Sequence, residues 1–415
     1  MSRSRTRSRA SPGDDRVSNK LRIVVLGIMG RTPLAGVTWQ VLHYVEGFRR
    51  LGHDVYYVED TGDWGYDPEH DTTTEDGSYA VDYISRIMRW CGLPDRWAYR
   101  PAAPGSGTFG LSDSRLSQVF ERADALVNLC GATVLRDEHL RVPVRVYLET
   151  DPVLPQIEVA QGRQYTIDLL TAHTHHFTFG ENLGAGDCRV PVERFDYRPT
   201  RQPIVLDWWA PATRTAANGA GGRPLLPDDR FTTISSWKQS GKDVEWNGET
   251  YVWSKHVELL KFVDLPRQTR QPLELALCKG DAEAIKQLTS SGWRVVDALA
   301  MSKDVSPYRA YILGSAGELT VAKDQYIRPR SGWFSDRSAC YLAAGKPVIT
   351  QDTGFGNTLP TGRGLFPFRT ADQILDALET IKADYGAHAR AAQEIAREYF
   401  GADCVLGSLL ERTGL

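Results

Sequence analysis

Apolar and polar positions along this chain alternate between two rhythms. "KLRIVVLGIMG" (Lys20 to Gly30) is a short β-rich apolar run ending in glycine, the pattern of a buried first strand in a parallel sheet. After a Gly/Pro loop, Val37, Val41, Leu42, Val45 and Phe48 recur at spacings of three and four, which predicts a helix. The turn "LGHD" and the strand "VYYVED" complete a βαβ unit, with a right-handed crossover expected. Further strands are predicted at Ala125 to Cys130, Val144 to Glu149 and His176 to Gly180. "LSDSRLSQVFERA" carries a helical period between them, and "DLLTAH" ends another helix. The first half therefore reads as an open, doubly wound α/β sheet.

The pattern lapses in "APATRTAANGAGGRPLLPDD", residues 210–229, which is rich in Ala, Gly, Pro and Thr and has no apolar period; this is the predicted linker. It then restarts. "RFTTISSW" reads as a strand, and "DVEWNGETYVW" as a type I′ hairpin around Asn247-Gly248. "SKHVELLKFVDL" reads as a helix, "LELALC" as a strand, "DAEAIKQLTSSGW" as a helix capped by Asp281, and "RVVDAL" as a strand. From Thr370 onward the chain is almost wholly helical. The expected organisation is a basic tail at 1–19, a Rossmann-like domain at 20–209, the linker, a second Rossmann-like domain at 230–385, and helices at 386–415 that pack back toward the first domain. The loops at the carboxyl ends of both sheets would face a common cleft, where ligands bind in such sheets.

Composition narrows the partners. A chain of 415 residues with 41% hydrophobic and 24% charged residues suits two soluble domains, and a net charge of -3 gives no global reason to expect a nucleic-acid or membrane partner. No apolar run approaches the roughly 20 residues of a membrane helix. The opening "MSRSRTRSRASPGDDRVS" has arginines but no apolar block, so it reads as disordered rather than as a secretory signal. The six cysteines lie far apart and form no CxxC pair, which fits reduced thiols and a cytoplasmic location better than disulfides or zinc.

The densest chemistry is in "SGWFSDRSACYLAAGKPVITQDTGFG", Ser331 to Gly356. A helix capped by Ser335 or Asp336 presents free N–H groups and a positive dipole end, and Arg337 adds a fixed charge. A pyrophosphate suits that place. The strand after it ends in Asp352, Thr353 and Gly354, whose acid, hydroxyl and flexible backbone can reach sugar hydroxyls and a diphosphate.

These elements, in this order, resemble the two-Rossmann glycosyltransferases of the GT-B fold. The opening glycine loop with its "GH-V" turn (Gly27 to Asp60) and "LAAGKPVI" (Leu342 to Ile349) carry the resemblance, which spans most of the chain after residue 20. Retaining members usually place two glutamates where this chain has Gly332 and Cys340, so the stereochemical course stays open. The resemblance implies that "ISSWKQSGK" follows the first donor-domain strand. Ser235 and Ser236 then offer hydroxyl and N–H donors, and Lys238 or Lys242 offsets the charge of a departing nucleoside diphosphate. Arg328, Arg330, Ser335, Asp336, Arg337, Asp352, Thr353 and Gly354 complete the expected donor site. The loop holding Gly30, Gly36, Val37 and Thr38 resembles the first-domain glycine loop that approaches donor or acceptor.

Glycosyl transfer needs a stabilised leaving group and a base for the acceptor hydroxyl. Asp151, with Glu149 beside it, ends an apolar strand and is the candidate base. "HTHH" (His173 to His176) has no companion ligand motif, so no metal is expected, and no cofactor beyond the nucleotide sugar as co-substrate. Trp64 and Tyr66 in a long polar loop can stack on a sugar, and "DWW" (Asp207 to Trp209) can close the domain interface. The expected function is metal-independent transfer of a sugar from a nucleoside diphosphate sugar to a hydroxyl-bearing acceptor. A nucleotide-sugar epimerase of the same fold, a binding protein without catalysis, and an enzyme that acts on nucleic acid through the arginine arm are the alternatives.

Overall fold

The computed structural model describes residues 20–103, 105–210 and 229–415; the basic tail and nearly all of the predicted linker lie outside them. The first sheet has eight strands. Five of its neighbouring pairs run through Trp97–Tyr99, Asp54–Glu59, Arg22–Leu26, Ala125–Leu129, Val144–Glu149 and His175–Thr178, all parallel. Tyr197–Pro199 adds a parallel edge, and Phe109–Gly110 an antiparallel one. Numbered along the chain, the first six of these parallel strands, before the Tyr197–Pro199 edge, have the order 3-2-1-4-5-6 of the doubly wound nucleotide-binding sheet.

The second sheet repeats that order: Arg294–Asp297, Leu273–Cys278, Phe231–Ser236, Gly317–Thr320, Val348–Gln351 and Leu365–Phe368, all parallel. In each sheet the strand order reverses beside the first strand, so a crevice opens at the carboxyl end of Arg22–Leu26 and another at that of Phe231–Ser236.

Local chemistry explains most boundaries. Asp281 caps the helix Ala282–Ser290, its Oδ1 accepting the Ala284 N–H at 2.7 Å. Asn247 and Gly248 both adopt positive φ, 51° and 79°, between the strands Val244–Trp246 and Glu249–Tyr251, as a type I′ turn requires. The helix expected over "SKHVELLKFVDL" is shorter and covers His256–Leu260, with a separate 3-10 turn at Leu265–Arg267. The segment expected to be a polar loop around Trp64 and Tyr66 contains a small hairpin, Gly65–Asp67 with Thr72–Thr74. No described helix is long and apolar enough to cross a membrane.

The last helix, Ala402–Thr413, lies against the first, Ala35–Arg50. At Gly47 the two approach so closely that a Cβ would sit 2.4 Å from Leu406 Cδ1. The chain re-enters the first domain through main-chain bonds, Ile204 N–H to Phe400 O at 2.6 Å and Ala402 N–H to Ile204 O at 3.0 Å. One buried cluster therefore runs through both domains, from Trp39, Phe48 and Trp209 to Phe334, Cys340 and Phe400. Trp209 is buried, its indole N–H 3.1 Å from His43 Nε2, and Trp39 donates to Val305 O at 3.2 Å.

Candidate active site

The crevices of the two sheets share a cleft of about 300 Å3. Its first-domain wall is Leu34, Gly36 and Val37, from the loop and first helical turn after the strand Arg22–Leu26. Its second-domain wall gathers strand ends and the residues just beyond them: Ser235, Ser236 and Gln239, then Cys278, then Leu299 and Ser302, then Lys323. Ser335 and Arg337, at the start of the helix Asp336–Ala343, close the floor, with Lys255, Tyr308 and Trp333 around them.

The cations differ in how they are held. Arg337 is nearly buried and fully committed within the second sheet: Nε donates to Glu318 Oε1 at 2.6 Å, Nη2 to Thr320 Oγ1 at 2.9 Å, and Nη1 to Ile234 O. Lys255 is the opposite case. Among the described residues its ammonium has no carboxylate or hydrogen-bond partner, only the Trp333 ring 5.7 Å away. Burial, then the nearby Arg337 and Lys323 charges, push its pKa well below the ordinary lysine value. Lys323 donates to Asp151 Oδ1 at 3.1 Å and to Tyr326 OH at 3.1 Å. Burial lowers its pKa to about 8, against the pull of Asp151.

Asp151 stands at the first-domain edge of this cluster with its side chain 41% exposed. Burial opposes its charge, but the Lys323 ammonium and a hydrogen bond from Tyr326 outweigh it and hold the carboxyl below its ordinary value. Glu149 is elsewhere. It is 2% exposed, accepts the Gln156 amide on both oxygens at 2.8 Å and the Thr178 hydroxyl at 2.5 Å, and burial pushes it up to about 8. Asp336, beside the cleft floor, is pushed up to about 7 by burial and accepts from Gln40 of the first domain at 3.2 Å.

Of the residues expected at the donor site, Ser235, Ser236, Ser335, Arg337, Gly36 and Val37 line this cleft. Ser335 caps its helix without a side-chain bond, so its hydroxyl is not tied up by that role. The others lie off the cleft wall. Lys238 is exposed, 3.6 Å from Asp281. Lys242 lies over the Trp253 ring at 4.7 Å. Arg328 pairs with Asp324 and Glu249 and stacks on Tyr251, which fastens the Val244–Tyr251 hairpin. Arg330 and Asp352 belong to a domain junction: Arg330 binds Asp187 at 2.8 Å and Asp352 at 3.2 Å, while Asp352 also holds Arg369. Thr353 donates to Trp333 O at 2.6 Å, and Gly354 abuts Asn182. Thr38 is buried against Tyr83, 2.7 Å between hydroxyls. Gly30 is required by packing, since a Cβ there would meet Ile84 Cδ1 at 2.6 Å.

The residues that sequence reading passed over are Lys255, Lys323 and Tyr308. Lys255 precedes a helix of only five residues, and Lys323 comes after the strand Gly317–Thr320, which has too few β-branched residues to stand out. The junction also explains a departure from the family pattern. Gly332 has φ 77° and a Cβ there would lie 2.5 Å from Asn182 N, so no glutamate fits; Cys340 is buried, 3.9 Å from His43 Nε2.

Two of the three histidines of "HTHH" are held by backbone carbonyls, His173 by Leu169 O and His176 by Leu170 O, both at 2.8 Å, and His175 lies 2.9 Å from the Thr174 hydroxyl. Among the described residues, Asp60, Glu138 and His139 could share a cation. Arg100 already bridges Asp60 and Glu138, and Arg136 also binds Asp60. His139 Nδ1 accepts the Arg136 N–H at 3.1 Å, which leaves the proton of the neutral ring on Nε2, the atom that faces the carboxylates. That donor set does not suit a metal.

No family model and no curated protein matches the chain. Solved structures do. A glycosyltransferase involved in avilamycin A biosynthesis is similar at TM-score 0.52 and 12% identity, over 95% of this chain and 97% of that one. An alpha-glucosyltransferase in complex with UDP is similar at TM-score 0.55 and 10% identity, over 95% and 100%. HepE of Anabaena, in complex with UDP and glucose, is similar at TM-score 0.53 and 12% identity, over 95% and 99%. The chain has the architecture these structures share, two Rossmann-like domains facing a cleft, known as the GT-B fold.

Proposed function

We propose that this protein is a glycosyltransferase that moves a sugar from a nucleoside diphosphate sugar to a hydroxyl-bearing acceptor. Residues 230–385 would hold the donor and residues 20–209 the acceptor. The observation that carries the reading is Lys255: an amine in the cleft that has no carboxylate partner among the described residues and whose charged form burial and the neighbouring cations disfavour. A diphosphate would relieve that cost, and with Lys323 and the N–H groups of the helix Asp336–Ala343 it would be stabilised as a leaving group. These groups supply the positive charge without a metal. Two of the similar structures hold UDP, so a uridine diphosphate sugar is the first donor to test.

Asp151 is the candidate base, and Lys323 its regulator. Lys323 pairs with Asp151 at 3.1 Å; a diphosphate would compete for Lys323 and leave Asp151 available to an acceptor hydroxyl at the edge of the first domain. Glu149, hydrogen-bonded in the core, supports the strand and does not meet substrate. All six cysteines are free thiols, which suits work in the cytoplasm.

Titration calorimetry against UDP, GDP, dTDP, ADP and CDP tests this. One diphosphate should bind, and Lys255→Ala should weaken it at least tenfold while leaving the melting temperature within about 2 °C, as suits a side chain with no carboxylate or hydrogen-bond partner among the described residues. No binding across the panel overturns the donor reading. Binding without transfer to any acceptor, and with epimer or free sugar released, points to the epimerase alternative.

A further inference from the structure

Three successive N–H groups of the loop after the first strand turn toward one place. Gly30 N–H donates to Glu59 Oε2 at 2.6 Å, Arg31 N–H to Glu59 Oε1 at 2.5 Å, and Met29 N–H to Tyr57 OH at 2.8 Å. The Tyr57 hydroxyl passes its own proton to Glu59 Oε2 at 2.6 Å. Converging main-chain amides in a turn at the end of a first Rossmann strand form a site for an anion such as phosphate. Here the anion is the chain's own carboxylate, which is fully buried.

We propose that Glu59 is a built-in ligand of this amide site and a positioning residue for the cleft: it fixes the loop that carries Leu34, Gly36 and Val37, and it excludes the donor phosphates from the first domain. The diphosphate is thereby confined to the second-domain cations. The loop's other ties agree with a rigid unit, since Thr32 N–H reaches Ile28 O at 2.9 Å and Tyr66 N–H reaches Arg31 O at 2.9 Å.

Glu59 also makes the loop sensitive to pH. Burial raises its carboxyl to about 7, against hydrogen bonds from Tyr57, Gly30 and Arg31 and the Arg31 charge; the Tyr99 phenol is the other titratable group beside it. The ionised carboxylate accepts from three donors. Once protonated it brings a donor of its own, and one of the three contacts is lost. Opening of the loop removes these lowering hydrogen bonds from a carboxyl that stays buried, so protection of the loop is half lost at about pH 7, fullest well above it and least well below it, whereas global unfolding, which brings Glu59 into water, has the opposite dependence.

This role rests on the donor-cleft reading only through the residues the loop presents, and its test needs no turnover. Amide hydrogen exchange of Met29, Gly30 and Arg31 is followed in the full chain, wild type and Glu59→Ala, with and without formate. The variant should exchange these amides at least tenfold faster, and formate, which can refill the amide site, should restore protection where equal ionic strength of chloride does not. If Glu59→Ala does not fold, Glu59→Gln and the wild-type series from pH 8.5 to 5.5, corrected for intrinsic chemistry, decide the matter. Unchanged protection in the variants, no effect of formate, or a flat corrected pH series would overturn the assignment. UDP calorimetry on Glu59→Gln separates the two readings: retained UDP binding with a loosened loop upholds both, whereas no UDP binding even to wild type fails the donor reading alone.

Discussion

Arg337 and Lys255 face the same cleft and answer opposite demands. The guanidinium of Arg337 satisfies Glu318, which is wholly buried, so removing it strands a carboxylate in the core. Arg337→Ala should therefore lower stability by about 3–5 kcal/mol in denaturant titrations, unlike Lys255→Ala. Equal stability of the two variants would show that the Glu318 pair is not what holds the switch point together. Three carboxyls, the buried Glu59 and Glu149 and the half-buried Asp336, are pushed up to about 7, 8 and 7. A folded-state value above the unfolded one means the native protein binds more protons between the two. Stability from these groups is thus complete below about pH 4 and is lost as pH rises from there to about 7 or 8, at up to about 1.4 kcal/mol per pH unit for each group. The melting temperature should fall between about pH 4 and 8 and level off above that, and Glu149→Gln, which removes the group that titrates latest, should flatten the part of that fall nearest pH 8. An unchanged slope in Glu149→Gln would refute its part in the decline.

Among elements, the small hairpin Gly65–Thr74 has a clear mechanical place. It springs from the first domain, yet Asp71 pairs with Lys279 and Glu69 with Lys303, each at 3.1 Å, and Lys279 lies over the Tyr66 ring at 4.9 Å. Lys279 and Lys303 directly follow Cys278 and Ser302, which line the cleft, so the hairpin bridges one mouth of it. Both pairs are largely exposed and worth about 0.2–1 kcal/mol each, weak enough for the bridge to open in solution. Raising salt from 50 to 500 mM should speed amide exchange in the hairpin, and the pair of substitutions Lys279→Glu and Lys303→Glu should do so at low salt. Exchange that ignores both changes would mean the hairpin is held by its own turn and not by the second domain.

The whole molecule is closed by its carboxyl terminus. Leu406, fully buried, fills the notch at Gly47, and Phe400 joins Phe334 in the cluster that spans both domains. Leu406→Ala should cost about 2–5 kcal/mol and loosen the first domain as much as the second, read by exchange of amides in Ala35–Arg50. A loss confined to the second domain would show that the last helix is not a strut between them.

How much of this was legible in the sequence depends on the range of the interaction that decides it. Val144–Glu149, Leu273–Cys278, the Asp281 cap and the Asn247-Gly248 turn depend on neighbours within a few residues, and the linear pattern records them. The same holds for the repeat of two doubly wound halves, because each parallel strand must be apolar on both faces and each crossover helix amphipathic. The serines at the end of Phe231–Ser236 and the start of the helix at Ser335 were readable as cleft residues for the same reason: strand ends and helix starts fix where a crevice lies. The partners of the charges were not readable. Arg330 finds Asp187 across 143 positions, Lys323 finds Asp151 across 172, and Arg337 turns inward to Glu318. By itself the sequence determined the two doubly wound halves, the strands and helices with the strongest patterns, and the sheet edge at which a cleft opens. Only the tertiary structure decided which cations stay unpaired beside that cleft, because long-range pairing removes charges that spacing alone would count, and among the described residues leaves Lys255 without a carboxylate.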